Sequence, residues 1–210
     1  MHSTFQYQKN PNFPNRYISP KSLQNFLQEN LSDYITLIGT STLGEPIYQF
    51  SYGSGDIKVL AWSQMHGNES NSTHCMLDLW YSLESQPQLK EKLFQNLSLD
   101  FIFMLNPDGS KVWSRRNSLD IDMNRDYLQN ASCEMKLLKE VAFSKKYDYA
   151  LNLHEQRTIF STDGKNPATL SFLAPSEDYD RTVTENRKKS MAVIASIYNV
   201  LRMQIPNRSE

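Results

Sequence analysis

The chain has 210 residues, a length that suits one domain of roughly 100 to 250 residues. Its 22 basic and 23 acidic residues leave a net charge of −1, which excludes a global field that would steer it to nucleic acid or an anionic membrane. No apolar run approaches the ~20 residues of a membrane span, and no basic-then-apolar leader opens the sequence, so a soluble, cytoplasmic protein is expected.

Residues 1–18 are rich in Asn, Pro and Tyr without periodicity and read as an irregular surface arm ahead of one domain over 19–210. Ser19 offers an N-cap oxygen and Pro20 suits the first helical position. Leu23, Phe26, Leu27 and Leu31 recur at helical spacing, predicting a helix to about residue 30. "YITLIGT" and "PIYQFSY" read as strands. "GSGD" before "IKVLAWS" reads as a hairpin connection into a third strand, which is apolar on both faces and therefore central. From Glu69 to about Leu83, Met76, Leu79, Trp80 and Leu83 share one helical stripe.

"SLDFIFMLNPDGS" reads as a buried strand ending in a loop, with "NPDG" a turn by composition. Residues 133–143 predict a short helix, "YDYALNLHE" another central strand, and "LSFLAP" one more. The stretch 178–203 predicts a long helix that buries Val183, Met191, Ile194, Ile197 and Leu201. Strands alternating with helices imply an α/β fold, with a mixed, mostly parallel central sheet and helices on both faces. Cys75 and Cys133 form neither a disulfide framework nor a C-x-x-C site and are expected to be reduced, partly buried thiols.

In open α/β sheets, ligands bind beyond the carboxyl ends of strands, and three exits here are polar: "HGNE", "NPDGSKVWSRRNSLDIDMNRDY" and "LNLHEQ". His66 and Glu69, three residues apart where a strand meets a helix, can turn a nitrogen and a carboxylate oxygen toward one point. Zinc accepts both donor types, and His154 is the natural third ligand. The alternative is a surface histidine paired with a nearby acid. Arg115, Arg116 and Arg125 suit bidentate recognition of a carboxylate, with Asn124 as an added amide donor. Alternatively they sit in a solvated loop and pair with Asp120, Asp122 and Asp126. His74, Trp113 and Tyr127 read as surface or packing residues.

"IGTSTLGEPIY", "HGNE", "NPDG", "RRNSLDIDMNRDY" and "LNLHE" occur in the order seen in the zinc metallocarboxypeptidase family, the carboxypeptidase A-like peptidases, which residues ~38–155 therefore resemble. The resemblance implies one zinc ion held by His66, Glu69 and His154. It also implies that Arg115 stabilises the oxyanion and that Asn124 and Arg125 clamp the substrate's terminal carboxylate. Arg115 and Arg125 are expected to point into the metal cleft and Arg116 outward, since neighbours in an extended segment alternate.

The implied activity is removal of a C-terminal residue from peptides by zinc-activated water. Asn68 stands where digestive members have arginine, which suggests a different substrate class. The family's general-base glutamate has no counterpart here: Glu155, Glu177 and Asp178 are poorly placed for that role. The fold is therefore expected to be C-terminally incomplete and the chain's own hydrolysis weak or absent. Two further readings keep the same residues: a zinc deacylase acting on small N-acyl amino acids, and a noncatalytic domain that binds zinc and carboxylates. The expected partner throughout is a peptide or acyl amino acid with a free carboxylate.

Overall fold

The computed structural model describes residues 5–156, 161, 164 and 170–202. The chain forms two compact units, Met1–Glu155 and Gln156–Glu210.

The first unit carries a five-stranded mixed sheet in the order β1-β2-β4-β3-β5. Its strands are β1 (Ile35–Thr40), β2 (Pro46–Tyr52), β3 (Ile57–Ser63), β4 (Leu97–Phe103) and β5 (Tyr149–Leu153). β1 with β2 and β2 with β4 run antiparallel, while β3 is parallel to both β4 and β5. Side chains alternate across this sheet. Phe50, Phe101 and Phe103 face one way, packing against Leu23 and Leu27 of α1 (Pro20–Asn30) and Leu77, Trp80 and Leu83 of α2 (Asn71–Glu84). Leu60 and Ile102 face the other way, where they meet Met135, Leu138 and Val141 of α5 (Cys133–Ser144). The sheet thus has helices on both faces, as the sequence implies.

Local chemistry accounts for the boundaries. Ser19 caps α1 by accepting from the Ser22 N–H, with Pro20 in the first turn, and Ser132 caps α5 by accepting from the Met135 N–H. The arm is irregular from residue 5 to residue 18, yet it is pinned down. Asp78 accepts from the Asn10 N–H and the Tyr7 hydroxyl, and Phe13 and Ile18 enter the core beside α2.

Several expectations are corrected. β2 and β3 form no hairpin, because β4 lies between them. The glycines of "GSGD" serve a close crossing instead: a Cβ on Gly55 would stand 2.0 Å from the Asn96 carbonyl carbon as the loop passes the start of β4. "NPDG" is the first turn of a short helix, α4 (Pro107–Lys111), nucleated by the Asn106 side chain accepting from the Gly109 N–H. A helix unmarked in the sequence reading, α3 (Pro87–Phe94), links α2 to β4. β5 is an edge strand among the described residues rather than a central one, so Tyr149 and Leu151 are exposed. Cys75 is exposed; Cys133 is half-buried and lies 3.3 Å from the Thr42 hydroxyl.

In the second unit, "LSFLAP" is not a strand, and Leu173 is exposed. The long helix is α6, Glu185–Leu201, starting seven residues later than expected because Thr184 supplies its cap. It buries none of the five predicted residues: Val183 and Met191 are exposed and Ile194, Ile197 and Leu201 only half-buried.

Candidate metal centre

The polar exits of β3 and β4 are locked together before any functional side chain is placed. The Leu105 N–H donates to the Ser63 carbonyl and the Asn106 N–H to the Gln64 carbonyl, both at 3.0 Å. Gln64 turns the chain with φ +47°, a left-handed conformation held by its own buried side chain. Its Nε2 donates to the Gly67 carbonyl at 3.0 Å, and its Oε1 accepts from the Thr73 hydroxyl at 2.6 Å. The "HGNE" loop then passes against α4 so closely that a Cβ on Gly67 would lie 2.2 Å from the Gly109 carbonyl carbon. Only glycine fits there.

This turn delivers His66 and Glu69 to the point where β5 ends at His154. Glu69 Oε1 lies 2.9 Å from His66 Nδ1, and Glu69 Oε2 lies 2.9 Å from His154 Nδ1. The three potential ligand atoms all fall within 4.8 Å of one another. Ligand distances of ~2.0 to 2.2 Å around tetrahedral zinc put donor atoms roughly 3.4 Å apart, so the set fits that ion with small side-chain adjustments. His66 is buried, whereas His154 has about a third of its side chain exposed at 32%, which leaves an approach from solvent. Burial works against the Glu69 carboxylate, but hydrogen bonds from His154, His66 and the Glu155 N–H outweigh it and bring its pKa down to about 2. It is ionised at neutral pH, as a metal ligand must be.

Asp122 has a role that its local sequence does not mark. Its Oδ1 lies 3.0 Å from His66 Nε2 and its Oδ2 accepts from Arg115 Nε at 3.1 Å. A carboxylate on the far ring nitrogen fixes the tautomer that presents Nδ1 as a metal donor. Burial opposes ionisation of Asp122 too, but His66 and the Arg115 guanidinium hold its pKa below the usual carboxylate range. The available signal was the "DIDMNRD" acid cluster, which pattern alone could only pair generically with the arginines.

Arg115 reaches the centre, its Nη1 lying 3.3 Å from Glu69 Oε1. Arg116 turns away, donating to the Asp120 carbonyl at 2.7 Å. Asn124 sits beside the end of β5, where its Oδ1 accepts from Asn152 at 3.5 Å. Arg125 is not brought to the triad: its exposed guanidinium folds back on the Asn124 carbonyl at 3.0 Å. His74 lies apart, its Nε2 donating to the Arg16 carbonyl at 3.0 Å. Glu155 is held by an ion pair with Arg16.

Buried acids fix the loop that carries Arg115 to Arg125. Asp108 accepts from the Ser41 and Ser118 hydroxyls and the Leu43 N–H; Glu134 accepts from the Thr42 N–H and the Asn117 amide. Asp126 accepts from the Ala131 and Ser132 N–H groups and the Ser132 hydroxyl. A loop tied at three points holds its side chains where rigid elements would.

The fold and this site define an α/β protein with a His-Glu-His centre of metal-binding type. Residues 21–159 match the sequence profile of the zinc carboxypeptidase family, and the chain belongs to that family. Carboxypeptidase 2 of Trichophyton rubrum is 29% identical over 100 residues, covering 47% of this chain and 19% of that protein. A probable carboxypeptidase 2 of Trichophyton verrucosum is 28% identical over the same shares. Among solved structures, a putative carboxypeptidase from Burkholderia mallei superposes with TM-score 0.67 at 16% identity, covering 92% of this chain and 51% of that one. Bovine thrombin-activatable fibrinolysis inhibitor, in complex with tick carboxypeptidase inhibitor, superposes with TM-score 0.62 at 16% identity, covering 89% and 73%. The alignments span about a fifth of the curated relatives' length. No described helix is long and apolar enough to cross a membrane.

Proposed function

We propose that the chain carries the metal centre of a zinc-dependent metallocarboxypeptidase-type hydrolase that removes a C-terminal residue from peptides. The observation that carries this reading is the convergence of His66, Glu69 and His154 at the exits of two parallel strands, with Arg115 hydrogen-bonded to the same carboxylate. Zinc bound there would polarise a peptide carbonyl and make water a competent nucleophile near neutral pH. Asp122 orients His66 for that ion and positions Arg115. Arg115, half-exposed beside the triad, would stabilise negative charge developing on the carbonyl oxygen. Asn124 and Arg125 would hold the substrate's terminal carboxylate, Arg125 by swinging off the Asn124 carbonyl. The reading places the protein in the cytoplasm, in keeping with its two unpaired thiols.

The test is binding of a short peptide to zinc-loaded protein in two forms, with a free or an amidated C-terminus. A charge-assisted hydrogen bond worth roughly 1.5 to 3 kcal/mol makes the free form about 10- to 100-fold tighter, and Arg125→Ala should remove most of that gap. Equal binding of the two forms contradicts the proposed clamp.

A further inference from the structure

Trp113, Tyr17 and Arg16 line a shallow, solvent-open recess of about 330 Å³ beside the loop that carries Arg115. The Trp113 and Tyr17 rings meet edge to face at 5.7 Å, and the Arg16 guanidinium lies 5.6 Å from the centre of the Trp113 ring. Trp113 is 39% exposed although it is a large apolar group, and its backbone takes φ +53°. Displaying a tryptophan from a left-handed residue costs stability twice over, which points to use rather than packing.

The recess is wired to the centre. Arg16 pairs with Glu155, whose N–H donates to Glu69 Oε2 at 3.0 Å, and Trp113 lies two residues before Arg115. The Arg16 backbone adjoins the α2 side of the sheet, whereas Asn124 adjoins the α5 side. The Arg16 carbonyl accepts from Ser70 and His74 at the start of α2, at 2.7 and 3.0 Å, on the face of the sheet covered by α1 and α2. Asn124, by contrast, adjoins Met123 and reaches Asn152, which touches Met65; both methionines belong to the cluster under α5.

A substrate with its carboxylate at Asn124 and Arg125 and its scissile bond over the triad would carry its amino side toward the Trp113 face. We infer that Arg16, Tyr17 and Trp113 form a subsite for an aromatic or other flat apolar side chain on the amino side of the scissile bond. This rests on the peptidase reading above. An acidic side chain is disfavoured because Glu155 already neutralises Arg16. The irregular arm, tied to α2 through Asp78, thus serves to carry two of the three lining residues to the metal flank.

The test uses zinc-loaded protein and three N-acetyl dipeptides, Phe-Leu, Gly-Leu and Glu-Leu, with dissociation constants from calorimetry. Aromatic packing of this kind is worth about tenfold, so the Phe peptide should bind roughly ten times tighter than the Gly peptide, with the Glu peptide near the latter. Trp113→Ala should bring the Phe/Gly ratio to about one while leaving the Gly peptide within about twofold, and Trp113→Phe should restore most of the preference. Circular dichroism of both variants confirms that the exposed site changes without loss of fold. A ratio that survives Trp113→Ala, tightest binding of the Glu peptide, or no binding of any peptide overturns the inference. Arg125→Ala separates the two claims: it should weaken all three peptides alike. If it changes none while the Trp113 dependence holds, the clamp fails and the subsite stands.

Discussion

Removing the Asp122 carboxylate should weaken zinc binding although Asp122 is not itself a proposed ligand. In the structure it serves three groups: His66 Nε2 at 3.0 Å, Arg115 Nε at 3.1 Å and the Asn124 N–H at 3.0 Å. Loss of a group that orients a metal-binding imidazole typically costs 10- to 100-fold in affinity, or roughly 1.4 to 2.7 kcal/mol. His66 is 1% exposed, so water cannot readily replace the lost acceptor, and Asp122→Ala should fall toward the upper end of that range. Asp122→Asn should cost less, about tenfold or below, because its carbonyl oxygen can still accept from His66 while its amide cannot accept from Arg115. Competition with a chromophoric chelator at neutral pH measures both, with circular dichroism as the check on folding. Wild-type affinity in a folded Asp122→Ala variant would refute the argument that this carboxylate sets the His66 tautomer.

Two further predictions concern the scaffold. Asp100, buried in β4, accepts from Lys145, Tyr147 and the Ser51 hydroxyl; burial opposes its ionisation, but these partners hold its pKa below the ordinary carboxylate value, while burial and the bond to Asp100 push that of Tyr147 up. A depressed folded pKa means the contribution is complete above the unfolded value of about 3.9 and is lost as pH falls through the folded one. Asp100→Asn should therefore cost roughly 1 to 3 kcal/mol in urea unfolding at pH 7, with the gap to wild type closing below about pH 4; a pH-independent gap contradicts this. Gly67→Ala should lower the unfolding midpoint sharply and reduce zinc binding with it, since the added methyl meets backbone 2.2 Å away; an unchanged melting curve would show that the two exit loops can separate.

The sequence made the sheet's central strands and the candidate metal ligands His66 and Glu69 legible for one physical reason: β3 and β4 are apolar runs that end abruptly in polar residues, and that contrast marks both a buried strand and its polar exit. What it concealed were long-range pairings. Nothing local to "GSGD" reveals that β4, more than thirty residues on, comes to lie between β2 and β3. Asp122 was hidden for a similar reason, because its partner His66 lies 56 residues away. The amphipathic period of α6 predicts a buried face that the described unit does not show, since periodicity reports what a helix can bury and not what covers it. In the sequence Trp113 reads as packing because aromatic residues usually are; its exposure beside Tyr17 and Arg16 distinguishes it.

The central claim is that His66, Glu69 and His154 hold one zinc ion, and metal analysis of protein purified without chelator tests it most directly. The account predicts about one zinc per chain for the wild type. It predicts loss of stoichiometric zinc in His66→Ala and His154→Ala, each still folded by circular dichroism, and retention in His74→Ala. Zinc retained at one per chain in a folded His66→Ala variant, or absent from zinc-supplemented wild type, would contradict it.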